Sequence, residues 1–387
     1  MSMPKGWEEV RLGDIISIKS EKYTPNKNEV KKCIELEHLE QNTGILLEYT
    51  NSNLQKSTKN VFKKGQVLFG KLRPYLKKYY LAEFDGVCSS EIWVMSGNNV
   101  LNNFLFYLVQ SDDFMNAANI SCGTKMPRAD WKYMQEITIK LPPLKEQEKI
   151  AEILSSCDEH IKNLKNLKSE LEKEKLHLMN ELLSGKTRFA NFTTPWQEVK
   201  LADICEYKNG GAFEKFVVEN GKKYLITLDS ISIDGKLKKE HKMIDNIECE
   251  CLKKNDIVMI LSDVAHGYFL GLTGIIPCDD LYVLNQRVGL LRPNENIDSY
   301  FLSSYINNNQ HYFKIQGQGS SQQNLAKGSI INFKIKLPSL EEQKNIGEVL
   351  SACDERLECL NELITAETTL KSHLLTELLT GKIRVKI

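Results

Sequence analysis

Residues Ile139 to Phe189 read IKLPPLKEQEKIAEILSSCDEHIKNLKNLKSELEKEKLHLMNELLSGKTRF, and residues Ile335 to Val385 read IKLPSLEEQKNIGEVLSACDERLECLNELITAETTLKSHLLTELLTGKIRV. A constant offset of 196 aligns the two without a gap. Each copy opens with Leu-Pro (Leu141-Pro142, Leu337-Pro338), a strand end followed by a helix start, since proline is tolerated only in the first helical turn. Each closes with Gly-Lys (Gly185, Gly381), a helix C-cap with a cation behind it.

Between these signals the apolar residues recur at alternating spacings of four and three. In the first copy they are Ile150, Leu154, Cys157, Ile161, Leu164, Leu171, Leu178 and Leu182. In the second they are Ile346, Leu350, Cys353, Leu357, Leu360, Ile364, Leu374 and Leu378. That is a coiled-coil seam, and a helix with a single apolar stripe must bury it. The partner available in the same chain is the other copy. Lys168, Lys175, Glu367 and Lys371 interrupt the seams toward their C-terminal ends, where pairing is therefore expected to shift most easily. Two unrelated surface helices would not produce a gapless internal repeat of this length.

A chain of 387 residues has room for two or three domains. Its 51 basic residues are matched by 51 acidic ones, so any surface that attracts nucleic acid must be local. The ten cysteines form no CxxC, and with Cys157 and Cys353 on the helix seams they read as reduced core residues of a cytosolic protein. Cys249-x-Cys251 lacks the second pair or the histidines that a zinc site needs. No signal peptide or long apolar run occurs, which predicts a soluble, cytoplasmic chain with no membrane partner.

The globular parts repeat as well. GWEEVRLGDI (Gly6 to Ile15) is answered by PWQEVKLADI (Pro195 to Ile204), pairing Trp7 with Trp196 and Asp14 with Asp203. Strand-like runs at Lys32–Leu36, Gln66–Phe69, Lys78–Ala82, Glu91–Met95 and Glu136–Leu141, with a helix near Leu101–Val109, predict a mixed α+β domain. The fold class is thus α+β: two mixed α/β domains spaced by two long helices in an antiparallel coiled coil, with an internal pseudo-two-fold repeat. The boundaries are 1–140, 141–189, 190–336 and 337–387. A helix from Leu144 to Ser184 would be about 60 Å long, the upper limit on the spacing it can set.

Candidate binding residues lie in loops that differ between the copies. Lys63 to Tyr80 mixes cations with aromatic residues and contains no acid; Lys71, Arg73, Tyr75, Lys77 and Lys78 suit a phosphate-tracking loop. Cys122 to Trp131 projects Lys125 and Arg128, and an arginine so placed can pair with guanine O6 and N7. In the second copy, Ser262 to Gly274 replaces the basic loop and brings His266, while Gly317 to Leu325 carries Gln318, Ser320, Gln322, Gln323 and Asn324. Glutamine and asparagine are the side chains that pair with adenine N6 and N7. Frame residues repeat and loop residues diverge, as in two readers of different sequences. Signatures of chemistry are missing: Gly185-Lys186-Thr187 has Asn180 where a phosphate loop needs glycine, and the seven histidines do not cluster.

The shared Trp-x-Glu-Val-x-Leu-x-Asp-Ile opening, the LPPLxEQxxIAxxLxxxD stretch (Leu141 to Asp158, Leu337 to Asp354) and the helix ends Glu181 to Arg188 and Glu377 to Arg384 resemble the specificity subunit of type I restriction-modification enzymes. The resemblance covers nearly the whole chain. It implies that each globular domain is a target-recognition domain, that the helices pair into a spacer, and that the double-stranded DNA site is bipartite with an unread gap. It also implies that two modification subunits dock on the helices and methylate adenine from S-adenosylmethionine, with two restriction subunits using ATP and Mg in the nuclease form. This chain would then bind no cofactor or metal and have no catalytic residue. The competing reading is a non-enzymatic adaptor whose globular domains bind protein. A nuclease would need a carboxylate constellation that the sequence does not offer.

Overall fold

Both long helices begin just past their prolines, at Leu144–Ser184 and Leu340–Leu379. Both end on a left-handed glycine, Gly185 at φ 71° and Gly381 at φ 70°. There the amide of Gly185 donates to Leu182 O (3.2 Å) and that of Thr187 to Glu181 O (3.3 Å), which satisfies the last carbonyls; Gly381 and Ile383 do the same with Leu378 and Glu377. A side chain at Gly381 would also lie 2.5 Å from Pro4 Cγ, so the position is closed to larger residues twice over.

The computed structural model describes residues 3–122, 126–245, 249–264, 267–319 and 322–386. They divide into two units, residues 1–166 with 362–387, and residues 167–361. Each unit therefore holds one globular domain, the first half of the helix that follows it, and the second half of the other helix.

In the first unit a four-stranded sheet runs in the order Ile16–Ser17, Ile92–Gly97, Val67–Gly70, Tyr79–Leu81. A five-stranded sheet runs in the order Lys22–Tyr23, Lys59–Phe62, Gly86–Ser89, Lys32–Ile34, Thr50–Asn51. Glu8–Arg11 pairs antiparallel with Thr138–Leu141, so the domain's two ends are joined before the long helix begins. Helix Asn102–Leu108 forms near the expected place, and a second helix, Asp112–Asn119, follows it, started by the Ser111 hydroxyl accepting from Phe114 N. Phe69, Trp93, Phe104 and Phe114 share one core with Ile150, Leu154 and Leu378 of the two helices. Burying a leucine such as Leu154 stabilises by roughly 1.5 to 3 kcal/mol, so the seam residues belong to the domain core as much as to a helix pair.

The second unit repeats the scheme. Cys205–Asn209, Val288–Pro293, Ile257–Ile260 and Thr273–Ile275 form one sheet; Val217–Val218, Lys242–Ile244, Lys223–Ile226 and Tyr282–Leu284 form the other. Each unit contains a parallel pair, Lys32–Ile34 with Gly86–Ser89 and Lys223–Ile226 with Tyr282–Leu284. Gln197–Lys200 closes on Lys334–Leu337. Leu182, Leu183, Ile346 and Leu350 pack with Phe301 against Trp196. Ile161, Leu164, Leu357 and Leu360 are buried as the seam predicts, and Leu178 and Leu374 are half-buried.

The repeated polar motif residues are spent on joining each domain to its helices. Glu146, fully buried, accepts from Trp7 Nε1 at 3.0 Å and from Arg384 Nε and Nη2 at 2.7 and 2.9 Å. Glu342 does the same with Trp196 (3.2 Å) and Arg188 (2.8 and 2.8 Å). The neighbouring glutamines staple the helix starts: Gln147 accepts from Leu101 N and donates to Pro142 O, and Gln343 accepts from Asp298 N and donates to Pro338 O. In each unit the arginine comes from the far end of the other helix, so the helix halves run antiparallel.

Two of the four polar interruptions, Lys175 and Lys371, form ion pairs from one helix to the other. Lys371 Nζ lies 2.5 Å from Asp158, and Lys175 Nζ lies 2.8 Å from Asp354, whose carboxylate also takes Lys236 at 2.5 Å and the Tyr300 hydroxyl. Tyr107 donates to Asp158 in the matching place at 2.9 Å. Glu367 lies 3.9 Å from His160, and Lys168 pairs along its own helix with Glu172. A methylene stem on the apolar side and a charged tip on a partner let lysine occupy a seam position, where it fixes register. The cysteines need a correction too: Cys33 and Cys88 are buried, and burial pushes the Cys33 thiol up to about 12, but Cys278 and Cys359 are exposed and not core residues.

Two outcomes follow from these joints. Glu146→Ala leaves Trp7 and Arg384 without an acceptor, and removing one partner of a buried ion pair costs about 3 to 5 kcal/mol; with Arg384 39% exposed the low end is expected, read as a lower urea midpoint. Burial works to raise the Asp354 carboxyl, and hydrogen bonds from Lys175, Lys236 and Tyr300 outweigh it, holding it below its usual value. The stabilisation is thus complete above the unfolded value of about 4 and is lost as pH falls through the lower folded value. Unfolding free energy measured from pH 5 down to pH 2 should fall less steeply in Asp354→Asn than in the unaltered chain.

Candidate nucleic-acid interface

Strand Val67–Gly70 runs straight into the basic segment, and the segment's backbone is held by the second candidate loop. Lys71 O accepts from Ala129 N at 2.9 Å, Arg73 N donates to Pro127 O at 2.7 Å, and Leu72 bridges to Arg128. The sequence separates Lys71–Lys77 from Arg128 by some fifty positions; the fold makes them neighbours through the backbone. Arg73 (φ 51°) and Lys77 (φ 49°) are both left-handed, on either side of the one-turn 3-10 helix Pro74–Leu76. Such a conformation costs a non-glycine residue on the order of 1 kcal/mol or more and persists only where the surroundings hold it, as at ligand-contacting turns. Here the Lys77 N–H donates to Pro74 O, and its carbonyl accepts from Asn42 N. Tyr75 stands exposed on the turn between them.

The candidates are not equivalent. Lys78 is half-buried, and its ammonium donates to Leu36 O at 2.6 Å, so it serves the domain's interior and not the solvent face expected of it. Arg128 is exposed but already paired, its Nε and Nη2 donating to Glu91 at 3.0 and 3.1 Å. Lys71 Nζ lies 4.0 Å from the same carboxylate. Arg73, Tyr75 and Lys77 complete the face. Lys125 lies outside the described residues.

The second unit builds the same place from different side chains. Leu261 O accepts from Leu325 N at 2.8 Å, the counterpart of Lys71 and Ala129. The expected polar loop is partly a strand: Gln322–Asn324 pairs antiparallel with Ser262–Val264, and Asn324 bridges back to Gln318. Strand pairing here exposes Asn324 and half-buries Gln322 and Gln323. Asn324 Oδ1 accepts from the Ser262 hydroxyl at 2.5 Å, which fixes the amide's orientation. Gln323 lies against Gly267 and Gly317, where a Cβ would come within 2.3 and 3.0 Å of its Oε1. Gln318 is exposed. His266 and Ser320 lie outside the described residues.

Sequence reasoning passes over Glu91 and Arg287. Lys71 N donates to Glu91 O and Leu261 N to Arg287 O, each at 3.0 Å, so the two residues hold one structural position with opposite charge. The offset of 196 already aligns them, and comparing the copies for charge reversal is the signal that finds them. Among the described residues no group of three or more His, Cys, Asp or Glu is arranged to hold a metal.

Two copies of one α+β domain, each locked to a helix pair and each presenting a distinct cationic or amide-bearing face, define a duplicated recognition module. The chain belongs to the family of type I restriction modification DNA specificity domains, whose model matches residues 4–173 and again 193–367. It is 27% identical, over all of its length and 95% of the relative's, to the type I restriction enzyme MjaVIII specificity subunit of Methanocaldococcus jannaschii. Its fold is similar to that of the type I restriction-modification system S subunit of M. genitalium, with a TM-score of 0.62 at 16% identity over the whole of both chains. A chain from a structure described as the basis of complex assembly and conformational transition of the type I R-M system gives 0.64 at 21% identity, covering 99% of this chain and all of that one. The chain is thus a DNA-specificity subunit of the type I restriction-modification class.

Changing Lys71, Arg73 and Lys77 together to alanine should weaken binding to cognate and random DNA alike. The log–log salt slope should flatten by about 0.9 for each phosphate no longer neutralised, measured by titration from about 50 to 200 mM salt. An unchanged slope would remove these three from the interface.

Proposed function

We propose that each globular domain reads one half of a bipartite site in double-stranded DNA, while the paired helices set the unread gap and dock two modification subunits. Those subunits carry S-adenosylmethionine and methylate adenine; two restriction subunits using ATP and Mg join them for cleavage, all in the cytoplasm. This chain supplies geometry and base preference only. The observation that supports the reading best is the contrast within each unit. Trp7–Glu146–Arg384 and Trp196–Glu342–Arg188 are the same joint made twice, whereas the faces at Lys71–Arg128 and Ser262–Asn324 share backbone hydrogen bonds and almost no side chains.

The experiment is an exchange of residues 1–140 for the corresponding domain of a relative, in cells that also express the modification subunits. Mapping methylated adenines should show one half of the site replaced and the other half, and the gap, unchanged. Simultaneous change of both halves would refute independent readers. Absence of sequence-dependent DNA binding by the unaltered complex would favour the adaptor.

A further inference from the structure

A carboxylate in the middle of a cationic face needs a reason to be there, because it repels the phosphates that Lys71, Arg73 and Lys77 would attract. Glu91 is that carboxylate. It stands just before strand Ile92–Gly97, its carbonyl accepts from Lys71 N, and its side chain is 27% exposed. Arg128 meets it side-on, Nε to Oε2 at 3.0 Å and Nη2 to Oε1 at 3.1 Å. A guanidinium has five N–H groups, and this contact uses two along one edge. The edge formed by Nη1 and the second hydrogen of Nη2 remains, a parallel fork of the kind that pairs with guanine O6 and N7.

We propose that Glu91 is a positioning residue for base readout: it pins the Arg128 guanidinium so that its outer edge reads a guanine in the half-site of the first domain. The inference rests on the DNA-reading function proposed above. It is supported by the second unit, where the acid and the arginine disappear together. Arg287 holds the backbone position of Glu91, and Asn324, by the offset of 196, holds that of Arg128. The asparagine is oriented instead by Ser262, 2.5 Å from its Oδ1. Each unit thus has one side chain suited to pairing with a base and one neighbour that fixes its direction. A solvent-exposed ion pair kept only for stability would contribute little and would have no such counterpart.

The test uses the full chain assembled with its modification subunits and a DNA library randomised in the first domain's half-site. Glu91→Ala should reduce the preference for guanine at one position on the order of tenfold. The second half-site should be read as before, and affinity for random DNA should hold or rise, because a negative charge has gone. Arg128→Ala should lose the same position, and the double variant should be no worse than Arg128→Ala, since Glu91 acts through the arginine. Glu91→Gln, which keeps one acceptor and the shape, should lose less than Glu91→Ala. Unchanged base preference in Glu91→Ala would overturn the proposal. So would an equal loss on cognate and random DNA, which would make Arg128 a phosphate clamp, or additive losses in the double variant. An intact reading of the second half-site shows that each variant has folded and assembled. An unaltered complex with no base preference at all would instead refute the underlying DNA-reading function.

Discussion

Each unit depends on a carboxylate that has been taken out of water. Glu146 and Glu342 are 0% and 1% exposed, and a buried charge is tolerated only when paired and hydrogen-bonded. Three groups must therefore converge on each: the tryptophan that opens the domain, the glutamate that starts the following helix, and the arginine beyond the end of the other helix; in the first unit all three are remote in sequence, while in the second Arg188 lies shortly before Trp196. The glycine C-cap lies in the same place because the chain must turn there to deliver that arginine past the indole; Gly185 sits against Trp196 and Gly381 against Trp7. Hydrophobic burial supplies most of the stability, but it is non-directional. The carboxylate adds direction to the junction, because it must meet hydrogen-bond donors wherever it is buried.

The frame is legible in the sequence because it is repeated and periodic. Offset, proline, glycine and the four-three spacing together locate both helices, and alternation locates the main strands. The lysines in the seam mislead because periodicity scores a residue by its polarity, whereas Lys175 and Lys371 bury their stems and pair their tips with aspartates that lie far off in sequence. Of the five-stranded sheet only the strand at Lys32–Ile34 is foreseen, because its strands are two to four residues long, too short for alternation to show. Gln322–Asn324 has the composition of a loop; its partner strand, Ser262–Val264, lies some sixty residues away. The site is legible as residue types and not as a constellation. Nothing local couples Glu91 to Arg128.

The contrast between frame and face shows how a domain can change what it reads without endangering its fold. The buried joints lie where the domain meets its helices, and the candidate contacts lie on segments whose positions are set by main-chain hydrogen bonds. Lys71, Leu261, Glu91 and Arg287 take part in the same backbone pattern whatever their side chains. Substitution at the exposed ones, such as Arg287, alters charge and hydrogen-bonding capacity on a surface, where most changes are worth well under about 1 kcal/mol of stability.

The division of the chain also imposes an order on its synthesis. The second unit is one continuous stretch, Leu167 to Asn361, and every group its joint requires has been made once the second helix is under way. The first unit is discontinuous: Leu378 and Arg384, which complete its core and joint, follow every residue of the second unit in sequence. The domain made first is therefore the one finished last. Until those residues are made, the carboxylate of Glu146 lacks Arg384 and the apolar face of Ile150 and Leu154 lacks part of its cover, so the first unit stays open while the second is being made.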